Sequence, residues 1–211
     1  MIIRSFQRSD QSECEKIFTD GVEEFFKEAT LVFLSTVSRE FVIATVFTSV
    51  AAILWSTWIL AVYAVVVFCF LAFVHIMRLQ GFNWLNSVLK TEFKDIEKSY
   101  MSSEGCHMWV AEWSGEVVGM VGLMRKETHE PGVAELQRMY IVPSCRGKGI
   151  GKKLLNELTA HAKRQMIRKI VLATTSTQKP AIQLYKKHGF KLVTVSNVFR
   201  DITLKTFSME L

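Results

Sequence analysis

Met139-Tyr140-Ile141-Val142-Pro143-Ser144-Cys145-Arg146-Gly147-Lys148-Gly149-Ile150-Gly151, followed by Lys152-Lys153-Leu154-Leu155, carries an apolar strand past a proline into a basic, glycine-rich loop and on into an amphipathic helix. That order leaves several backbone N–H groups without an intrahelical acceptor at a helix N-terminus, where the macrodipole also favours negative charge. The glycines present no Cβ to an approaching phosphate and permit positive φ. Arg146, Lys148 and Lys152 add cationic side chains around the same point. The stretch predicts a diphosphate site on a strand–loop–helix unit. Two common phosphate loops are excluded by spacing. No Walker sequence occurs, and Gly147-Lys148-Gly149-Ile150-Gly151 alternates where a dinucleotide fingerprint needs G-x-G-x-x-G.

A second stretch lies downstream in the same order of elements. Ile170-Val171-Leu172-Ala173-Thr174-Thr175 reads as a buried strand. Gln178-Lys179-Pro180-Ala181-Ile182-Gln183-Leu184-Tyr185-Lys186-Lys187-His188-Gly189-Phe190 reads as a short helix, with Pro180 in its first turn and Gly189 at its C-terminal cap. Together, Arg146-x-x-Gly149-x-Gly151 and Ala181-x-x-Leu184-Tyr185-x-x-x-Gly189-Phe190 resemble the two signature segments of the GNAT superfamily of acetyl-coenzyme A-dependent N-acetyltransferases. With Glu135-Leu136-Gln137-Arg138-Met139 included, the pattern resembles the camello-like branch, which contains membrane-bound cysteine S-conjugate and aspartate N-acetyltransferases. The resemblance covers residues 106–190. Gln178 stands where many members carry Asn, and Gly151 where close relatives often carry Ala; both departures leave cofactor binding intact.

The resemblance implies an α/β (α+β GNAT) fold with a mixed, mostly antiparallel central sheet flanked by helices. It implies acetyl-CoA as co-substrate. Met139, Tyr140 and Ile141 would bind its pantetheine arm through their main chain, and Arg146, Gly147, Lys148, Gly149, Ile150, Gly151 and Lys152 would surround its diphosphate. Gln178 would hold the cofactor with its side-chain amide, although helix capping is a competing explanation. Tyr185 takes the family's general-acid position, where a phenol of pKa ~10 can protonate a thiolate whose thiol has a pKa of ~8.5. The competing reading is a packed core tyrosine. Glu135 takes a position that carries a general base in some members; the alternative is a solvated strand-edge carboxylate. Arg138 either clamps a substrate carboxylate by paired hydrogen bonds or forms a structural salt bridge.

A different physical argument concerns the apolar insert. Between Glu40 and Arg78 no residue is charged except a titratable His75, and residues 41–77 are dominated by Val, Ala, Phe, Leu and Ile. The run begins too late and is too long for a signal-peptide core. As one helix it would extend ~55 Å against a hydrocarbon thickness of ~30 Å, so a hairpin of two short helices is expected. Trp55-Ser56-Thr57-Trp58 supplies a polar turn with interface-preferring aromatics. Met1-Ile2-Ile3-Arg4-Ser5-Phe6 reads as a strand, and Cys14, Ile17, Phe18, Val22 and Phe25 mark one face of the helix after it. That strand must pair with strands beyond the insert, so both flanks belong on one side of the bilayer. Lys27 and Arg39 before the insert, and Arg78, Lys90 and Lys94 after it, agree with cytosolic flanks. The expected organisation is a first strand and helix in residues 1–28, a membrane-embedded helical hairpin in 29–80, and the remainder of the catalytic domain in 81–211. The expected location is a membrane such as the endoplasmic reticulum, with the catalytic domain facing the cytosol.

Composition bounds the rest. At 211 residues the chain suits one domain and an appendage, and its net charge of +6 fits an anionic cofactor or a membrane surface. A hydrophobic content of 49% is high for a soluble protein. Basic residues are dispersed and no nucleic-acid motif occurs, so no nucleic-acid partner is expected. Cys14, Cys69, Cys106 and Cys145 show neither metal spacing nor a disulfide pattern, and no metal site is expected. The expected activity is acetyl transfer to the amino group of a small amino acid or cysteine conjugate. Acetylation of protein lysines or N-termini is the enzymatic alternative, and an inactive acetyl-CoA-binding interaction module the non-enzymatic one. Oligomeric state and the identity of the acceptor amine are not encoded in any motif.

Overall fold

Seven strands with β-branched and apolar alternation assemble into one sheet in the computed structural model, which describes residues 1–54, 58–199 and 202–211 (side chains of 32–41, 53, 54, 59, 60, 77, 78 and 199 excepted). The strands are β1 (Ile2–Ser5), β2 (His107–Trp113), β3 (Glu116–Met124), β4 (Val133–Ile141), β5 (Lys169–Thr175), β6 (Lys191–Phe199) and β7 (Ile202–Glu210). Their order is β1-β2-β3-β4-β5-β7-β6. Every neighbouring pair is antiparallel except β4–β5, which is parallel. A parallel pair needs a crossover, and α3 (Ile150–Arg164) supplies it. The Ser114-Gly115 turn takes positive φ at both residues, 55° and 86°, as a two-residue hairpin between right-twisted strands requires.

The core lies between α3 and the sheet. Ile150, Leu154, Leu155, Leu158 and Ala162 recur at helical spacing and are fully or nearly fully buried. They pack with Ala111, Val121, Leu123, Ala134, Ile170, Leu172 and Phe207 from the sheet. Each fully buried leucine contributes roughly 1.5–3 kcal/mol of transfer free energy. Helix α4 (Lys179–Lys187) adds Ile182 and Tyr185 to the same core.

β1 pairs with β2 in antiparallel register from Ile2↔Glu112 to Ser5↔Trp109. The first strand of the chain is thus a strand of the same sheet as residues more than 100 positions later. Its position is also held by Arg4, whose guanidinium donates to Glu112 at 2.8 Å and to both oxygens of Asp10 at 2.6 and 2.9 Å. Burial opposes ionisation of Asp10, yet the hydrogen bonds from Arg4 hold its carboxyl below the ordinary range.

The chain divides into two units: Met1–Val22 with Val88–Leu211, and Glu23–Ser87. Helix α1 (Gln11–Leu54) and helix α2 (Trp58–Thr91) are each continuous through the unit boundaries. From Phe82 to Tyr100, Trp84, Leu85, Val88, Leu89, Phe93 and Ile96 recur at helical spacing, a pattern that by itself predicts one helix over that stretch. Instead α2 runs through Gly81 to Thr91, and a five-residue π-helical turn follows at Glu97–Met101. Gly81 does not interrupt the helix because its missing Cβ makes room for the Phe26 ring; a Cβ there would lie 2.3 Å from Phe26 Cζ. Within Glu23–Ser87, the Thr45 and Tyr63 hydroxyls are hydrogen bonded, and Val42, Val46, Phe47, Val62, Val65, Phe68 and Leu71 are exposed. The segment Ala61–Thr91 is long and apolar enough to cross a membrane, its most apolar 18-residue window having a mean hydropathy of 2.2, and Val42–Ala52 is a shorter apolar stretch. The expected turn at Ser56-Thr57 lies outside the described residues.

Burial, and after it the neighbouring His161 and Arg164, lower the His107 pKa to about 4, and burial likewise lowers His161 and His188. An unfolded histidine takes up a proton near pH ~6.5 whereas folded His107 does so only near pH 4, so stability falls as pH drops between the two. Thermal unfolding of the protein is therefore expected to show a midpoint that declines over this interval, and His107→Gln to flatten the decline. An identical pH dependence in His107→Gln would contradict this origin.

Candidate active site

Two faults in the sheet create the site. On β3–β4 the register passes from Met120↔Tyr140 to Gly122↔Gln137, so Arg138 and Met139 together oppose Val121 alone. This is a β-bulge, and it bends β4. Arg138 takes φ 52° there, a left-handed conformation that costs a non-glycine residue on the order of 1–3 kcal/mol. On the other side, β4 pairs with β5 only at Val133↔Lys169, Ala134↔Ile170 and Glu135↔Val171. Beyond Glu135 the two strands separate. The opening is a cleft of about 170 Å³ lined by residues 135–140 of β4, Leu172, Ala173 and Thr174 of β5, and Gln178 and Tyr185 of α4.

The bulge is gripped from several elements. The Arg138 guanidinium donates through Nε and Nη2 to the two carboxylate oxygens of Glu92, at 2.9 and 2.8 Å. Its carbon lies 5.2 Å from the centre of the Phe18 ring. Burial works against the charge on Arg138, but Glu92 and then Tyr100 hold its pKa above the ordinary value. Tyr140 packs its ring onto α1 at Gly21, where a Cβ would come within 2.3 Å of Tyr140 Cδ1, and meets Phe18 edge-on at 5.6 Å.

The strand then enters the basic loop. A 3₁₀ turn at Pro143–Cys145 follows β4, and Arg146 folds back so that its Nε donates to the Ile141 carbonyl at 3.0 Å. Gly147 and Gly149 take φ of 76° and 79°, and a Cβ on either would meet open space. Glycine is thus required by the backbone, and the space beside both is available to a ligand. Gly149 is the N-cap of α3 and no side chain caps the helix, so the first N–H groups, from Ile150, Gly151 and Lys152, face the loop without intrahelical acceptors. At Gly151 a Cβ would sit 2.7 Å from Leu184 Cδ2 and 3.3 Å from Ile141 Cδ1 and Met139 Cε. At this point α3 packs closely on α4 and β4, and an alanine would be accommodated by a shift of the Leu184 side chain. Lys148 extends across the Trp113 ring, 5.0 Å from its centre.

Tyr185 is 6% exposed and meets Phe190 edge-on at 5.8 Å. Burial raises its pKa, and the nearby Tyr140 raises it further, so the phenol stays protonated. Gln178 begins α4 without capping it through its side chain; instead its Oε1 accepts from the buried Thr174 hydroxyl at 2.5 Å. Glu135 is not a bare strand-edge carboxylate. Lys126 Nζ lies 2.6 Å away and His129 Nε2 3.7 Å away, while His129 Nδ1 is buried without a hydrogen-bond partner. The structure brings Glu135, Arg138, Met139, Tyr140, Gln178 and Tyr185 to one cleft and sets loop 146–152 directly after the β4 strand that lines it. Sequence reading missed Glu92, Tyr100 and Lys126. Their partners lie 46, 37 and 9 positions away, and no local pattern announces such pairings.

Residues 73–190 match the model of the acetyltransferase (GNAT) family. Over 192 residues the chain is 32% identical to N-acetyltransferase 8B of Rattus norvegicus, covering 90% of this chain and 85% of the relative. It is 34% identical over 199 residues to N-acetylaspartate synthetase of Xenopus tropicalis, covering 92% and 70%. Among solved structures, an acetyltransferase of the GNAT family from Staphylococcus aureus Mu50 superposes with a TM-score of 0.61 at 17% identity, covering 99% of this chain and 98% of that one. The last similarity speaks to the fold, and the mixed, mostly antiparallel sheet agrees with it. With its loop, its cleft and these relatives, the chain belongs to the GNAT family and is an N-acetyltransferase of the group that includes N-acetyltransferase 8 proteins and N-acetylaspartate synthetases.

Proposed function

We propose that this chain is a membrane-anchored enzyme that transfers acetyl from acetyl-CoA to the amino group of a small, carboxylate-bearing amine such as an amino acid or cysteine conjugate. The observation that carries the proposal is the convergence of a cationic side chain and a buried phenol on one cleft between diverging strands, with a diphosphate-type loop following the strand that lines it. Loop 146–152 fits the cofactor chemically: the backbone at Gly147 and Gly149 is open, the helix start is uncapped, and Arg146, Lys148 and Lys152 supply positive charge. On β4, Met139, Tyr140 and Ile141 lie beyond the last residue paired with β5, so their main-chain groups on that side suit the amides of a pantetheine arm. Gln178, with its carbonyl taken by Thr174, offers its amide nitrogen to the same arm.

Acetyl-CoA supplies an activated thioester; the rest of the chemistry belongs to residues of the chain. Amine attack forms the C–N bond as the C–S bond breaks, and the departing sulfur must receive a proton. Tyr185 donates that proton or hydrogen bond. Its raised pKa makes it a weaker acid than a free phenol but keeps it in the donating form. Glu135 takes the proton lost by the amine through water, its charge shared meanwhile with Lys126. Arg138 binds the acceptor carboxylate, since a guanidinium pairs with carboxylates in a fixed fork. A relative named N-acetylaspartate synthetase supports an amino-acid acceptor. The exposed apolar faces of α1 and α2 support a lipid partner, and the location proposed is the endoplasmic reticulum with the site facing cytosolic acetyl-CoA.

Thiol release from acetyl-CoA, measured against amino acids, cysteine conjugates, polyamines and lysine peptides, should be fastest with carboxylate-bearing small amines. Tyr185→Phe should lower kcat by about 10²–10⁴-fold, a typical general-acid contribution, with little change in cofactor affinity. Release confined to lysine peptides would overturn the acceptor class, and parental kcat in Tyr185→Phe would remove the assigned proton donor.

Topology has its own test. Because β1 and β2 pair across the apolar segment, an even number of crossings or a re-entrant hairpin is required. Tags at both termini in sealed microsomes should both be cleaved by added protease without detergent. Protection of one terminus alone would contradict this arrangement.

A further inference from the structure

Beside the cleft a partly buried ion pair joins Arg138 to a carboxylate that the transfer chemistry leaves unassigned. Glu92 follows the last residue of α2, and its two carboxylate oxygens receive Nε and Nη2 of Arg138 at 2.9 and 2.8 Å. The side chains are only 28% and 15% exposed, so the pair is shielded from solvent screening. Tyr100, itself fully buried, donates its hydroxyl to Glu92 Oε2 at 3.0 Å. Phe93, the next residue, stacks on Phe18 at 4.5 Å, and Phe18 in turn lies under the guanidinium. Glu92 is therefore held by a neighbour on each side, and it holds Arg138 by two parallel hydrogen bonds.

Two bonds to one edge do more than neutralise charge. They fix the plane of the guanidinium, which a single contact or a distant carboxylate would leave free to rotate. Arg138 needs such a restraint: it sits at the bulge in a left-handed conformation and lines the cleft beside Met139 and Tyr140. Glu92 occupies the Nε edge, whereas a bound carboxylate is matched to the Nη edge of the same fork.

We propose that Glu92, oriented by Tyr100, is a positioning residue that sets specificity for carboxylate-bearing acceptors by fixing the plane of Arg138 in the cleft. The inference rests on the reading of Arg138 as the acceptor-carboxylate ligand. Glu92 touches neither reacting atom; it acts through Arg138, and its effect is confined to the acceptor side of the reaction.

Steady-state kinetics of the full-length protein in detergent, with the acceptor that turns over fastest in the thiol-release panel and with its analogue lacking the carboxylate, provide the test. Glu92→Gln should raise KM for the carboxylated acceptor by about tenfold, the scale of one lost charge-assisted hydrogen bond, with KM for acetyl-CoA unchanged within about twofold. Glu92→Asp should recover part of the loss, and Tyr100→Phe should give a smaller increase. In an Arg138→Met background, Glu92→Gln should add nothing, because the two residues act as one unit. The analogue without a carboxylate should show the same KM in all variants. If Arg138→Met leaves acceptor KM unchanged, the underlying reading of Arg138 fails. If Arg138→Met raises it while Glu92→Asp and Tyr100→Phe leave it at the parental value, or if the effects of Glu92 and Arg138 simply add, the positioning role alone is overturned.

Discussion

The extra residue at Arg138–Met139 is the constraint on which the active cleft depends. Placing two residues of β4 against Val121 bends the strand, and parallel pairing with β5 extends no further than Glu135. Past Glu135 the backbone groups on the β5 side of β4 border the opening rather than pair across it. The left-handed conformation of Arg138 is unfavourable in isolation, and the surrounding structure offsets it: Glu92 grips the side chain, Phe18 lies under it, and Tyr140 seats against Gly21. Strain of this kind persists only where packing over-determines it, and such places are commonly functional.

From the same strand the chain reaches the loop in a few residues. The 3₁₀ turn after β4 and the back-bond from Arg146 to Ile141 tie the loop to the end of the strand that lines the cleft. At Gly151, α3 comes close to Leu184 of α4 and to Met139 and Ile141 of β4. On the account proposed, the cofactor's two ends are recognised by different physics: backbone dipoles and cations at the diphosphate, unpaired strand edge and side-chain donors at the thioester.

Much of this was legible in the residues. Gly147 and Gly149 announced positive φ, and the apolar stretches 1–6 and 170–175 located β1 and β5 to within a position or so. Boundaries failed where no breaker stood. Arg78 and Gln80 are good helix formers and Gly81 is accommodated by Phe26, so α2 passes through a change of composition without ending. The bulge was not legible, since Arg138 is not a residue that advertises left-handed backbone. Nor were its partners: Glu92 reads as one more charge after an amphipathic segment, and only the fold brings it to β4. Glu135 illustrates the same limit, because its contact with Lys126 depends on how the β3–β4 connection folds back.

The central claim is that the bulge-opened edge of β4 and the start of α3 form one binding surface for acetyl-CoA. Backbone amide hydrogen exchange of the full-length protein, with and without a saturating non-reactive coenzyme A analogue, tests it most directly. The account predicts new protection confined to residues 139–141 and 147–152, with the amides of β2 and β7 unchanged. Protection elsewhere, with these two segments exchanging as before, would contradict it.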